Sequence, residues 1–163
     1  MPSPGLARAH AARAYAAVDQ GDTAQAQISL DALKRTFDRL PNDTHGQSAL
    51  AFRESQLRWT EAYVHTQTGD KKAEVTLTQA LALYPTDAVT PAGNLRLMQA
   101  AYLVRAREID AGLQQAITTM QGHLRPVSSG TTILVGNVLR ALPDQARALP
   151  AARDLRALAS SQT

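Results

Sequence analysis

The sequence predicts an all-α chain: three helical hairpins in succession, closed by a C-terminal helical cap. Three observations predict it. Alanine supplies 30 of the 163 residues while aromatics make up only 4%. Alanine is the best helix former and strands favour β-branched and aromatic residues, so a large sheet is excluded. Apolar residues recur at i, i+3, i+4, i+7, the period of one helix face. The junctions between these faces also repeat, as Gly21-Asp22, Gly69-Asp70 and, with the glycine replaced, Arg107-Glu108. Glycine closes a helix in the left-handed conformation, and an aspartate beside it can cap the next.

The first hairpin, about residues 5–40, carries Ala11, Ala14, Tyr15 and Val18 before its junction and Ala26, Leu30, Leu33, Phe37 and Leu40 after it. The second, about 47–84, carries Trp59, Ala62, Tyr63 and Thr66, then Ala73, Leu77, Ala80, Leu81 and Tyr84. The third, about 92–124, carries Leu97, Ala100, Ala101 and Val104, then Ile109, Leu113, Ala116, Ile117 and Met120. Pro41, Pro85 and Pro126 follow the three, and proline cannot continue a helix. Aligning the junctions puts Ala14, Ala62 and Ala100 at one position, where helices can approach closely, with Ala26, Ala73 and Gly112 near the start of their partners. Pro126 to Gly130 reads as a loop. Thr131-Thr132 can cap a helix to about Leu142, and Ala151 to Ala159 form a last helix, giving a cap over 131–159. The whole of 1–163 reads as a single domain.

Composition narrows the function. Cysteine is absent, which removes disulfides, thiolate metal sites and cysteine nucleophiles. The net charge is +3. The basic residues are scattered along the chain, which favours solvated helix faces over a nucleic-acid surface. No apolar run reaches the roughly 18 residues a membrane span needs. Arg8, His10 and Arg13 interrupt the first 17 residues, so a secretory core is not expected and a cytoplasmic protein is. His10, His45, His65 and His123 occur singly, without metal-ligand spacing, and no phosphate-binding glycine loop is present. Ser128-Ser129-Gly130 has no visible base and reads as linker. Neither an enzyme nor a bound cofactor is expected.

A binding surface fits better. On the first helices Arg58, Glu61 and His65 fall at i, i+3, i+7; Arg96 and Gln99 repeat the first two places, as do His10 and Arg13. This stripe is either the solvated back of amphipathic helices or a charged groove able to take a carboxylate through arginine. Trp59 and Tyr63 lie on the opposite face, either as core or as the wall of a pocket between hairpins. Tyr102 is the remaining candidate aromatic.

The order of helix, Gly-Asp, helix and proline resembles the tetratricopeptide repeat (TPR), best in Ala62…Gly69-Asp70…Ala73…Ala80-Leu81-Ala82-Leu83-Tyr84-Pro85. That resemblance implies a right-handed TPR-like stack, with a concave surface for a peptide, protein or small-molecule partner. Over about residues 50–158, the strings Leu57-Arg58-Trp59-Thr60-Glu61-Ala62-Tyr63-Val64 and Ala100-Ala101-Tyr102-Leu103-Val104-Arg105-Ala106-Arg107-Glu108-Ile109-Asp110-Ala111-Gly112-Leu113 are similar to the C-terminal repeat region of a class of transcriptional regulators from high-GC bacteria. The likeness implies a ligand- or partner-sensing region that signals through hairpin angle or the state of a homodimer. A stand-alone scaffold or assembly protein is the alternative. Regulators of that class carry a helix-turn-helix ahead of the repeats; no such pattern precedes the first hairpin, so no DNA-binding site carries over.

Overall fold

The computed structural model describes residues 1–41, 50–122 and 127–161. His45, His123 and Pro126 lie outside the described residues, as do the first residues of the second expected hairpin and the last of the third. Among the described residues there are eight α-helices and no strand. They are α1 (Pro4–Asp19), α2 (Thr23–Phe37), α3 (Glu54–Thr68), α4 (Ala73–Leu81), α5 (Val89–Arg105), α6 (Ile109–Gln121), α7 (Ser129–Ala141) and α8 (Pro150–Ser160). A one-turn 3-10 helix, Asp144–Ala146, separates the last two.

The three junctions share one hydrogen-bond pattern. Asp22 N–H donates to the Ala17 carbonyl, Asp70 N–H to that of His65, and Glu108 N–H to that of Leu103, each at 2.9 Å. The residue before each donor is left-handed: Gly21 at φ 73°, Gly69 at φ 72° and Arg107 at φ 70°. These are Schellman closures, in which the left-handed residue turns the chain so that the last carbonyls of the helix find donors. Arg107 therefore occupies a glycine position at a conformational cost. The acidic residue that follows acts differently at each junction. Asp22 Oδ1 accepts from Gln25 N–H at 2.9 Å and Asp70 Oδ1 from Lys72 N–H at 2.8 Å, whereas Glu108 makes no side-chain cap.

Several expected boundaries move for local reasons. α2 and α4 stop three residues before the ends expected at Leu40 and Tyr84. Their last turns tighten, with Leu40 N–H bonded to the Phe37 carbonyl and Tyr84 N–H to that of Leu81, because a residue preceding proline is crowded out of α geometry. α5 begins at Val89 rather than near 92 and takes Pro91 into its first turn, where the missing N–H has no helical partner to lose. The start of α7 is capped by Ser128, whose Oγ accepts from Thr131 N–H at 3.2 Å, and not by Thr131-Thr132.

Helices pair in sequence, α1 with α2, α3 with α4, and α5 with α6. The first helices also pack on one another in the order α1, α3, α5, α7, while α8 lies on α6. The C-terminal helices thus cover the ends of both members of the third pair. Ala14, Ala62 and Ala100 are fully buried, as the aligned junctions require of a close-contact position. The partner positions Ala26 and Ala73 are fully buried too. At the third, Gly112 lies so near α5 that an added Cβ would stand 2.7 Å from Val104 Cγ2 and 2.8 Å from the Ala100 carbonyl oxygen. Two clusters of buried apolar side chains form the core, one around α1, α2 and one side of α3, the other from α3 to α8.

Candidate functional site

The two faces of α3 have opposite fates. Residues two apart on a helix lie about 200° apart around its axis, so Glu61 and His65 face away from Trp59 and Tyr63. Glu61 is 2% exposed. Its Oε2 accepts from Arg58 Nη1 at 2.8 Å, and its Oε1 meets Lys34 Nζ of α2 at 3.1 Å. Arg58 also reaches Glu54 Oε1 at 3.3 Å. The hydrogen bond that Arg58 donates to Glu61 is the main cause that raises its guanidinium above its ordinary value. His65 is buried, with Nδ1 3.4 Å from Thr76 Oγ1 of α4 and no partner for Nε2 among the described residues. Burial lowers its pKa, against the opposing pull of Asp70 and Glu61.

Glu61 and His65 are therefore not an open charged groove, nor a solvated back: Glu61 ties α3 to α2 through Lys34 and His65 meets Thr76 of α4, while the partly exposed Arg58 pairs with Glu54 and Glu61 within α3. The aligned pair on α5 is placed differently. Arg96 is exposed and Gln99 half-buried, joined by Gln115, whose Nε2 donates to the Arg96 carbonyl at 2.9 Å and to Gln99 Oε1 at 2.8 Å. They line a depression between α5 and α6, remote in chain order from the Arg58 cluster. No single stripe joins the two sets.

Trp59 and Tyr63 instead line a cleft built by the first helices. A cavity of about 490 Å³ is walled by Arg8, Ala11, Ala12 and Tyr15 of α1, Gln56, Trp59 and Thr60 of α3, and Thr90, Pro91 and Asn94 of α5, with Phe52 and Tyr84 closing it. A second, of about 250 Å³, continues past the shared Tyr15, Trp59 and Asn94 to Asp19, Tyr63, Met98 and the start of α7 at Gly130, Ile133 and Leu134. From Arg8 to Asp19 the cleft follows α1 for about 16 Å, at 1.5 Å of rise per residue. Its width has a simple origin. The position on α1 that aligns with Trp59 is Ala11, so a small side chain faces the largest one and leaves space between them.

The aromatic lining is held in place. Tyr15 and Tyr63 meet edge to face with ring centres 5.0 Å apart, and Trp59 meets Tyr84 the same way at 6.3 Å, a favoured arrangement for aromatic quadrupoles. The Thr60 hydroxyl donates to the Gln56 carbonyl at 2.9 Å, so the Tyr15 hydroxyl, 3.1 Å away, donates to Thr60. Tyr63 OH donates to Asp19 Oδ1 at 3.2 Å. Burial raises the pKa of Tyr15, Tyr63 and Tyr84, so all three phenols stay neutral at ordinary pH. Asn94 is buried and its Oδ1 accepts from the Thr131 hydroxyl at 2.6 Å, tying α5 to α7 beneath the cleft. Tyr102 is half-buried on α5 and lines neither cavity.

Arg8, Gln56, Tyr84 and Asn94 escape sequence reasoning, because their elements meet only in three dimensions. Tyr15 carried a usable signal: it aligns with Tyr63 at the matching place in the first hairpin. Among the described residues, no three His, Asp or Glu side chains gather as metal ligands, and no helix is long and apolar enough to cross a membrane. No family model, curated protein or solved structure matches this chain.

Proposed function

We propose that this chain is a non-enzymatic binding module, a right-handed TPR-like stack that takes a ligand or partner in the cleft lined by its first helices. The observation that carries this reading is the pair of cavities along α1, α3, α5 and α7, which share Tyr15, Trp59 and Asn94 in their walls. Ligand sites are mostly apolar concavities with a few placed polar groups, and this one combines five aromatic rings with Gln56, Thr60 and Asn94. The buried ionisable pair of Glu61 and His65 lies on the other side of α3, bound up in helix contacts, so binding fits the cleft better than acid–base catalysis. Together with the resemblance of residues 57–64 and 100–113 to regulator repeat regions, the cleft supports a cytoplasmic sensing role. Occupancy would change the angle between successive helix pairs, or the state of a homodimer.

Native mass spectrometry of the protein purified from its own cells tests this. A retained small molecule or peptide is expected, and it should be lost from a Trp59→Ala protein that circular dichroism shows still to be folded. A retained protein partner unaffected by Trp59→Ala would refute the cleft and favour a scaffold that uses another surface.

A further inference from the structure

The wider end of the cleft has an unusual electrostatic character. Among the described residues lining the larger cavity, Arg8 alone is charged; the others are apolar, aromatic, or neutral hydrogen-bonding side chains. Its guanidinium is fixed by carbonyls rather than carboxylates. Nη2 donates to the Leu50 carbonyl and to that of Ala51, both at 2.9 Å. These two bonds use two of the five N–H donors that a guanidinium carries, leaving Nη1 and Nε for a ligand. Neutral carbonyls orient the group but leave its positive charge uncancelled. Arg58 is the opposite case, with Glu54 and Glu61 both on its guanidinium.

An oriented cation that binds no carboxylate among the described residues, at one end of an apolar aromatic cleft, selects a matching ligand. A neutral apolar molecule would leave the cation unanswered, and a cation would be repelled by it. The space between Trp59, Tyr84 and the small side chains of Ala11 and Ala12 suits a ring. Gln56 and Thr90 can meet further polar atoms at the margin. We propose that the cleft takes a small carboxylic acid with an apolar ring body, its carboxylate on Arg8 and its ring against Trp59 and Tyr84. The assignment rests on the cleft being the binding site and adds the chemical class of what enters it.

The test is calorimetric titration of the full chain with 4-butylbenzoate and with its neutral counterpart 4-butylbenzamide, with the fluorescence of Trp59, the only tryptophan, followed in parallel. A charge-assisted hydrogen bond predicts that the acid binds at least about tenfold tighter than the amide. Arg8→Gln should erase that preference, Arg8→Lys should keep most of it, and both ligands should change Trp59 emission. If Arg8→Gln melts early because the Leu50 and Ala51 carbonyls lose their donor, ionic strength does the same work in the unmodified chain: added salt should weaken the acid and leave the amide unchanged. Equal affinities for acid and amide, with Trp59 emission responding to both, would overturn the carboxylate assignment and leave the cleft standing as a site. Failure of both ligands to bind would overturn the assignment as well. The cleft itself would then stand or fall on whether a retained ligand depends on Trp59.

Discussion

Gly112→Ala sets two magnitudes against each other. Gly112 lies within α6, where alanine is favoured over glycine by about 1 kcal/mol. Propensity alone therefore predicts a more stable protein. The added methyl, however, would stand 2.7 Å from Val104 Cγ2, 2.8 Å from the Ala100 carbonyl oxygen and 3.2 Å from Val104 N. Two of those three atoms are backbone of α5 and cannot swing aside, so α6 must move off α5. Overpacking of this kind costs about 1–3 kcal/mol. The methyl also pushes against Ala100, the close-contact position of the third pair. With backbone atoms in the way, the cost falls in the upper part of that range, about 2–3 kcal/mol. The expected net loss is therefore about 1–2 kcal/mol, which lowers the melting temperature by roughly 2–8 °C for a chain of this size. Urea unfolding followed by far-ultraviolet circular dichroism measures it. Gly136→Ala is the control: Gly136 is interior to α7, and an added Cβ there would meet only the flexible end of Arg140 at 3.1 Å. That variant should gain up to about 1 kcal/mol. A Gly112→Ala protein as stable as wild type, or more stable, would refute the close approach of α5 and α6.

Arg107→Gly should stabilise the chain by about 0.5–1 kcal/mol, since relief of a left-handed arginine outweighs the entropy glycine adds to the unfolded state. The converse Gly69→Ala should cost a similar amount although nothing lies within 4 Å of the added Cβ; thermal melts decide both. Arg58→Ala should cost about 1–3 kcal/mol, less than a lone buried pair because Lys34 still faces Glu61. Arg96→Ala, on an exposed side chain, should stay within about 0.5 kcal/mol on the same denaturation curve. His65 gives the chain a pH dependence. Its pKa in the folded state is lowered by burial, so below about pH 6.5 the unfolded chain takes up the proton first and stability falls with pH. His65→Gln should flatten the stability profile between pH 7 and 5.5; an unchanged slope would remove His65 as its source.

How much could be read in advance differs by element. The junction pattern was legible even where its usual residue is missing, because Arg107 stands at the same interval from its flanking apolar faces as Gly21 and Gly69. The chemistry of the polar positions was not. Arg58 and Arg96 align, yet Arg58 has Glu54 and Glu61 around it while Arg96 meets solvent and Gln115. A helix pattern states which side chains share a face; it does not state what that face meets. The same limit applies to Trp59, for which core and pocket wall share one periodic signature. Only Ala11 and Ala12, brought opposite from another helix, leave Trp59 beside open space.

Taken by itself, the sequence determined the helices, their left-handed junctions and their close-contact positions, since each depends on short-range physics: propensity, left-handed closure, and small side chains at matching places. Tertiary structure alone decided that Glu61 is a buried clamp, that Arg8 is an oriented cation, and that four first helices enclose one cleft. Those properties arise from residues far apart in the chain, 27 positions for Lys34 and Glu61 and 42 for Arg8 and the Leu50 carbonyl. Burial and charge compensation are set by such neighbours, and no local pattern encodes them.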